Sequence, residues 1–285
     1  MRKIILSSKI ISEVIKDYQS GSSLKKIGKK FNVSGEYIRS LLNKNNIQLR
    51  TYLEINRKHS VNDNYFSVID TQEKAYFLGL LYSDGSVSSS SNAIILKLQE
   101  KDRDMLVKLS HIIMNKEKLY KSENNYVLKF SSRSIKNDLI RLGCMPNKTF
   151  KIEFPNIDKS LYNHFIRGYF DGDGSIYSYE KDYCANIIAT EKFCNSVNQI
   201  IFKQFGIACV INKDDAINGA TNIITSSMTY KGNRRVEVIM NWLYQDATIY
   251  LERKYDKYLE LKQIIKQVDD KHGNRYKQIR LDEHI

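Results

Sequence analysis

The first 50 residues carry a helical pattern of apolar positions. The stretch KIISEVIKDYQS places its apolar side chains on one face of a predicted helix: Ile10, Ile11, Val14, Ile15 and Tyr18. Ser22 or Ser23 can cap a second helix, LKKIGKKF, and Ser34 can cap a third, GEYIRSLLNKNN. Between them, Gly28 allows two helices to approach closely, and Asn32 suits a left-handed turn. The pattern predicts three short helices, of which the last two are joined by a tight turn.

From residue 71 onward, helical and alternating patterns occur twice in the same order. The first copy runs from QEKAYFLGLLYSDG to SIKNDLIRLG, and the second runs from SLYNHFIRGYFDG to RRVEVIMNWLYQD. Each copy contains a helix, two strands, a helix, two strands and a helix. We predict an α+β fold in which a small all-α domain precedes two αββαββα halves related by a pseudo-twofold axis. The predicted boundaries are residues 1–50 for the helical domain, 51–70 for a linker, 71–150 and 151–262 for the two halves, and 263–285 for a C-terminal tail.

The strands of the first copy alternate between apolar and polar residues. This alternation predicts a sheet with one covered face and one open face. The covered face is expected to carry Ile95, Tyr126, Leu128 and Phe130. The open face is expected to carry Lys97, Gln99, Lys129 and Ser131. A shift by one residue would exchange the two faces.

The net charge of +13 is concentrated near the start of the chain, where residues 1–60 contain 13 Lys or Arg against 4 Asp or Glu. Such a basic segment favours a nucleic acid partner. Its last two helices resemble the helix-turn-helix of resolvases and invertases, whose final helix enters the major groove. The candidate DNA contacts are Ser34, Tyr37, Arg39 and Lys44, together with Arg50 in the linker. A plain three-helix unit that binds protein remains the alternative.

The cysteines and apolar runs exclude several classes of protein. Cys144, Cys184, Cys194 and Cys209 have no CxxC spacing, so reduced thiols in a cytoplasmic protein are expected and a zinc site is not. The sequence has no apolar run near 20 residues, so we expect no membrane span. The apolar part of MRKIILSSKI is too short for a secretory signal. A bacterial or phage origin fits these features, and an organellar one stays open.

A short motif occurs once in each copy, as FLGLLYSDG and IRGYFDGDG. Gly79 lies five residues before Asp84, and Gly168 lies five residues before Asp173. Glycine inside a helix costs about 1 kcal/mol relative to alanine, and it is tolerated where two backbones pack closely. We therefore predict that the two helices pack on each other at these glycines. Their C-terminal ends would then bring the two aspartates together.

Two carboxylates at helix C-termini repel each other and face the negative ends of the helix dipoles. Divalent cations relieve this repulsion, and Mg²⁺ prefers oxygen ligands and bridges to phosphates. On a basic protein, paired acids indicate metal-assisted hydrolysis of phosphodiesters. An EF-hand is disfavoured because Ile176 stands where its loop needs glycine. The alternative without chemistry is a pair of acidic helix caps.

The two motifs resemble those of the LAGLIDADG homing endonucleases. The flanking stretches LGCMPNKTFKIEFP and IYLERKYDKYLEL fit as well, and the likeness covers about residues 62–262. The resemblance implies that the motif helices form a spine between the halves and that a saddle of β-strands binds double-stranded DNA. It also implies that Asp84 and Asp173 bind two or three Mg²⁺ ions, with help from the backbone carbonyls of Ser83 and Gly172.

The family also places a lysine near each metal, where it stabilises charge on the phosphate. Lys148 and Lys254 occupy corresponding positions after the last helix of each half, with Arg253 as the nearest rival. The sequence departs from the motif at Tyr82, which replaces the first acid that Asp171 keeps. This acid is not the metal ligand in the family, so the resemblance still implies nuclease activity. The departure makes the two halves unequal.

The resemblance implies a monomeric, site-specific endonuclease that cuts both strands of its target with Mg²⁺. Two alternatives use the same scaffold. One is a transcription regulator that binds DNA without cutting it, and the other is a maturase that binds intron RNA.

Overall fold

The computed structural model describes residues 7–49, 61–179, 182–216 and 223–272. The chain divides into two compact units between Ser60 and Val61. Within the described residues, no helix has the length and apolar character needed to cross a membrane.

The first unit contains three helices around a small apolar core. They are α1 (Ser8–Gln19), α2 (Leu24–Lys30) and α3 (Gly35–Lys44). The core consists of Val14, Tyr18, Ile27, Ile38, Leu41 and Leu42. The hydroxyl of Ser23 accepts from the backbone N–H of Lys26 at 3.2 Å, and that of Ser34 accepts from the N–H of Tyr37 at 3.1 Å. These bonds satisfy N–H groups that would otherwise lack a partner in the first turn of each helix.

The turn between α2 and α3 has the predicted geometry. Asn32 adopts a left-handed conformation with φ of 54°. A Cβ atom on Gly28 would lie 2.6 Å from the carbonyl oxygen of Val33, so the turn folds back directly onto α2. The prediction of three helices with a tight second turn is confirmed.

The second unit contains two halves with the predicted order of elements. The first half comprises α4 (Gln72–Ser83), β1 (Gly85–Val87), β2 (Ala93–Gln99), α5 (Arg103–Met114), β3 (Leu119–Ser122), β4 (Asn125–Ser131) and α6 (Arg133–Arg141). The second half comprises α7 (Tyr162–Asp173), β5 (Gly174–Tyr179), β6 (Asp182–Ala189), α8 (Glu191–Phe205), β7 (Ile211–Ala216), β8 (Ile223–Lys231) and α9 (Asn233–Leu243). A long helix, α10 (Glu252–His272), follows.

Each half forms an antiparallel sheet of four strands, in the order β1-β2-β4-β3 and β5-β6-β8-β7. In the first sheet, Leu96 pairs with Leu128 and Ile94 pairs with Phe130, and all four residues are buried. The prediction that Ile95 lies on this covered face is wrong. Ile95 pairs with Lys129 on the open face, because side chains alternate and Ile95 is two residues from Lys97.

One continuous core joins the two halves, and it extends beyond the predicted boundaries. Tyr65, Phe66 and Ile69 belong to it, although they fall in the predicted linker. At the other end, α10 continues beyond residue 262, and Ile265 is buried in the same core. These apolar residues join the core because the folded halves pack against them, and local sequence patterns do not predict such contacts.

Candidate active site

The site begins with two helices, α4 and α7, which we call the spine helices. A Cβ atom on Gly79 would lie 2.1 Å from the carbonyl oxygen of Phe165, and one on Gly168 would lie 2.0 Å from that of Tyr76. Real Cβ atoms do not approach this closely, so each spine helix packs against the other backbone directly. The predicted helix contact at these two glycines is present in the structure.

The close packing brings the C-terminal ends of the spine helices together. Asp84 directly follows α4, and Asp173 is the last residue of α7. A Cβ atom on Gly172 would lie 2.4 Å from Oδ2 of Asp84 and 1.9 Å from the hydroxyl of Ser83. The hydroxyl of Ser83 donates to Oδ2 of Asp84 at 3.3 Å. The end of α7 therefore lies directly beside the Asp84 carboxylate.

The two carboxylates interact electrostatically. Burial and then the charge of Asp173 raise the pKa of Asp84 to about 6. Loss of hydration also raises the pKa of Asp173, and the ammonium groups of Lys148 and Lys254 oppose that rise. Both shifts express the cost of holding a carboxylate away from water, and at Asp84 the neighbouring negative charge adds to that cost.

Both predicted lysines are buried beside the aspartates. Nζ of Lys148 donates to the carbonyl oxygen of Ser83 at 2.8 Å. Nζ of Lys254 donates to the carbonyl oxygens of Phe170 and Gly174. Burial lowers the pKa of Lys148, and it lowers the pKa of Lys254 to about 8. The aspartates favour the charged form of both lysines, so the cluster holds two positive charges next to two negative ones.

A cavity of about 290 Å³ opens beside Asp173 and Lys148. Its wall consists of Tyr82, Ser83, Lys148, Ile152, Tyr169, Asp173, Ile188, Ala189 and Thr225. The hydroxyl of Tyr169 donates to the carbonyl oxygen of Ile188 at 3.0 Å and favours the charged form of the nearby Asp173. Sequence reasoning missed Tyr169, which stands inside the second motif and reads there as an apolar core residue.

The donor set at the helix ends fits a hard divalent cation. Among the described residues, no cluster of three or more His, Cys, Asp or Glu side chains is placed to hold a metal, so a site here would use two acids and backbone oxygens. Asp84 and Asp173 offer carboxylate oxygens, and the carbonyls of Ser83 and Gly172 lie at the same two helix ends. Carboxylate and carbonyl oxygens suit a hard divalent cation better than they suit zinc.

The first acid of the second motif, Asp171, lies behind the site and is fully buried. Its Oδ2 accepts from the hydroxyl of Tyr76 at 2.7 Å and from the N–H of Leu251 at 2.8 Å. Burial raises the pKa of Asp171 to about 6. Arg253, the rival of Lys254, donates to the carboxylate of Asp102 instead of to the paired aspartates.

The predicted DNA contacts lie on two surfaces, one in each unit. Lys97, Gln99, Lys129 and Ser131 are exposed on the open face of the first sheet. On α3, Arg39 and Lys44 are exposed, Tyr37 is half-buried, and the hydroxyl of Ser34 caps the helix. Arg50 lies outside the described residues.

Sequence reasoning named no residue on the open face of the second sheet. That face carries Ser175, Tyr177, Asn186, Ile188, Ser227, Thr229 and Lys231. The side-chain amide of Asn186 donates to the hydroxyls of Ser227 and Thr229, each at 2.7 Å. The alternation in NIITSSMTY contained the signal, because it places Ser227 and Thr229 on one face.

Comparison with protein-family models finds none that matches the chain, and a search of curated proteins finds no significant match. Solved structures do match. A lysine-to-alanine variant of I-SmaMI, a LAGLIDADG homing endonuclease, aligns over 69% of this chain and 92% of its own, at 12% identity and a TM-score of 0.50.

Two further matches have lower TM-scores. The LAGLIDADG homing endonuclease I-GzeII, in complex with its DNA target, covers 71% of this chain and 93% of its own at 13% identity and a TM-score of 0.49. I-LtrWI, bound to target DNA, covers 74% of this chain and 92% of its own at 13% identity and a TM-score of 0.46. The first match, with the two sheets and the paired motif helices, shows that the chain has the LAGLIDADG homing endonuclease fold.

Proposed function

We propose that this chain, which has the LAGLIDADG homing endonuclease fold, is a site-specific endonuclease that uses Mg²⁺ to hydrolyse one phosphodiester on each strand of double-stranded DNA. The observation that carries the proposal is the pairing of Asp84 and Asp173 at adjoining helix ends, with buried Lys148 and Lys254 beside them. Two acids and two lysines in one cluster match the needs of phosphodiester hydrolysis.

Each residue of the cluster has a defined task in this proposal. Asp84 and Asp173 would hold Mg²⁺, with the carbonyls of Ser83 and Gly172 as further oxygen ligands. Bound there, Mg²⁺ would supply Lewis acidity at the phosphate oxygens. Lys148 and Lys254 would stabilise the negative charge that develops on the phosphate. Because both ammonium groups are buried, their charges are poorly screened by water and act strongly.

The pairing of Asp84 with Asp173 at adjoining helix ends favours a catalytic role over a purely structural one. Without a cation, the two carboxylates destabilise each other at neutral pH. A regulator that only binds DNA gains nothing from this repulsion, whereas a metal-dependent nuclease needs both acids. The regulator and the RNA-binding maturase are the two alternatives, and the cleavage experiment described below distinguishes them from a nuclease.

The open faces of the two sheets would supply most of the DNA contact in the second unit. The first face presents Lys97 and Lys129, which suit phosphates or guanine edges. The second face presents mainly hydroxyl and amide groups, which suit base edges. The difference predicts that the two half-sites of the target have different sequences.

The N-terminal unit would add a second region of DNA contact through α3. We expect Arg39→Ala and Lys44→Ala each to weaken DNA binding. Each should also reduce the slope of log affinity against log salt concentration by about one. The control is Lys9→Ala, on the exposed side of α1. Unchanged affinity and salt slope in both α3 variants would favour the protein-binding alternative for this unit.

The experiment for the main proposal is selection of cleaved sequences from a randomised duplex DNA library. With Mg²⁺, we expect cleavage on both strands at one long site. With Ca²⁺ in place of Mg²⁺, we expect binding at the same site without cleavage. A footprint without nicking in Mg²⁺ would support the regulator, and preference for structured RNA over duplex DNA would support the maturase.

A further inference from the structure

The segment that carries Lys254 is fixed at several points to its own half. The N–H of Leu251 donates to Oδ2 of Asp171 at 2.8 Å, and Nη2 of Arg253 donates to the carbonyl oxygen of Asp171 at 3.3 Å. Nζ of Lys254 reaches the carbonyls of Phe170 and Gly174. The position of this ammonium group therefore depends on how residues 251–254 are held.

One further contact comes from the other half. Nε of Arg253 donates to both carboxylate oxygens of Asp102, at 3.1 and 3.3 Å. Asp102 directly precedes α5, and its side chain is only 6% exposed. The first half thus holds the residue next to Lys254 through a buried carboxylate.

The second half makes a corresponding contact to the segment that carries Lys148. Thr190 directly precedes α8, as Asp102 precedes α5. The hydroxyl of Thr190 donates to the carbonyl oxygen of Ile152 at 2.5 Å. The N–H of Ile152 in turn donates to the carbonyl oxygen of Lys148 at 3.1 Å. Each half therefore contributes the residue before its middle helix to the lysine segment that follows the other half.

We propose that Asp102 and Thr190 are positioning residues for the opposite lysines, so that each half sets the cleavage chemistry of its partner. Asp102 acts on Lys254 through Arg253, and Thr190 acts on Lys148 through Ile152. The inference rests on the proposed nuclease function. Cleavage is sensitive to displacement of a catalytic group by about 1 Å, so a loosened segment slows one strand selectively.

The arrangement is distinguishable from general stabilisation of the fold. A contact that merely holds the two halves together would affect both strands to the same extent. A contact that positions one lysine affects the strand that depends on that lysine. Strand-resolved rates therefore separate the two roles.

The first experiment measures cleavage of each strand of the selected DNA site, with the strands carrying different labels. Lys148→Met and Lys254→Met first identify the strand that depends on each lysine. We expect Asp102→Asn to slow the Lys254-dependent strand by about tenfold and Thr190→Val to slow the Lys148-dependent strand by a similar factor. Thr190→Ser, which keeps the hydroxyl, should restore the rate.

Two neighbouring acids serve as matched controls. Glu100→Gln and Glu191→Gln remove exposed carboxylates that pair with Lys121 and Lys213. Both should leave the strand ratio unchanged. Asp102→Asn should add little to the effect of Arg253→Gln on the affected strand, because Asp102 acts on this segment through Arg253. Equal slowing of both strands, or slowing of the wrong strand, would overturn the proposal.

A second experiment does not depend on cleavage. Amide hydrogen exchange should speed up at Leu251 and Lys254 in Asp102→Asn, with no change at Ile152. Thr190→Val should do the reverse. If the wild-type chain cuts no DNA, the nuclease proposal fails by itself. Unchanged exchange at Leu251 and Lys254 in Asp102→Asn would still overturn the positioning role.

Discussion

The two spine helices have the same backbone arrangement but different buried chemistry. At three positions separated by 89 residues, the first helix carries an apolar or aromatic side chain and the second carries an ionisable one. The pairs are Ala75 and His164, Leu78 and Arg167, and Tyr82 and Asp171. The glycines and the final aspartates of the motifs are the same in both. The symmetry therefore fixes where the backbones touch and where the acids emerge, and it leaves the surrounding core free to differ.

The two helices meet one structural need with different residues. In the first half, the hydroxyl of Tyr82 donates to the carbonyl oxygen of Leu142, just after α6. In the second half, Nη1 of Arg167 donates to the carbonyl oxygen of Leu243, the last residue of α9, at 2.6 Å. Both bonds satisfy a carbonyl at the end of the closing helix of the half. A neutral hydroxyl does this in one half and a buried cation does it in the other.

The largest expected effect on stability comes from the glycines that occupy equivalent positions in the two spine helices. Gly79→Ala and Gly168→Ala would each place a Cβ atom about 2 Å from a carbonyl oxygen of the other helix. We expect each variant to lose about 3 kcal/mol or more of unfolding free energy, because backbone cannot move aside cheaply. Urea unfolding measures this loss. Gly35→Ala, at the start of α3, is the control, because its Cβ would meet its nearest neighbours at an ordinary 3.5 Å. Wild-type stability in either spine variant would contradict the close packing.

The next largest effect on stability is expected from Arg167, the buried cation of the second spine helix. Arg167→Leu introduces the residue that stands at the equivalent position, Leu78. It removes the donor to Leu243 and to the carbonyl oxygen of Ile249. It also removes one of the two cations that favour the charged form of buried Asp171, and Lys254 remains. We expect a loss of about 3 kcal/mol. Arg141→Leu, at an exposed site on α6, should cost less than about 1 kcal/mol. Equal unfolding free energies for the two variants would mean that Arg167 is replaceable.

A smaller effect depends on pH. Burial and then the charge of Arg167 lower the pKa of His164 to about 4. The unfolded chain takes up this proton near pH 6.5, so folding stability is lost as pH falls from 6.5 to 4. We expect His164 to contribute about 2 kcal/mol to that loss. His164→Ala, which introduces the residue at the equivalent position Ala75, should lose less stability across the same interval. Identical pH profiles of unfolding for the two proteins would contradict this assignment.

The smallest effect on stability is expected from the hydroxyl of Tyr82, the neutral donor at the end of α6. Tyr82→Phe removes the hydroxyl that donates to Leu142 and keeps the ring contact with Phe165, whose centroid lies 5.1 Å away. We expect a loss of about 1 kcal/mol, the usual value for one hydrogen bond. Urea unfolding would show a change much smaller than that of Arg167→Leu. A larger change than for Arg167→Leu would reverse the comparison between the two halves.

The sequence predicted the parts of the molecule that depend on local pattern. The duplicated order of elements, the cap at Ser34, a cap at Ser22 or Ser23, and the glycine contact of the spine helices follow from periodicity and spacing. Asp84 and Asp173 were found in the same way, because their motifs repeat. Their chemical roles, and those of the two lysines, remain predictions that depend on the experiments proposed above.

The parts that could not be predicted depend on contacts between distant residues. Arg167 reads as an ordinary charged residue until the fold encloses it between α9 and the other spine helix. Asp102 reads as a helix cap until Arg253 reaches it from 151 residues away. Ile95 was assigned to the wrong face because its apolar character outweighed its spacing from Lys97. Burial, which the assembled halves set, decides the cases of Arg167 and Asp102, whereas alternation along β2 was enough to place Ile95.

The most direct test of the central claim is cleavage of the selected DNA site by Asp84→Asn, Asp173→Asn and the double variant. We expect the double variant to bind the site with wild-type affinity in Ca²⁺ and to cut neither strand in Mg²⁺, with a loss of more than about 100-fold in rate. Each single variant should be strongly impaired. Cleavage of both strands by the double variant at the wild-type rate would contradict the assignment of the paired aspartates as the catalytic centre.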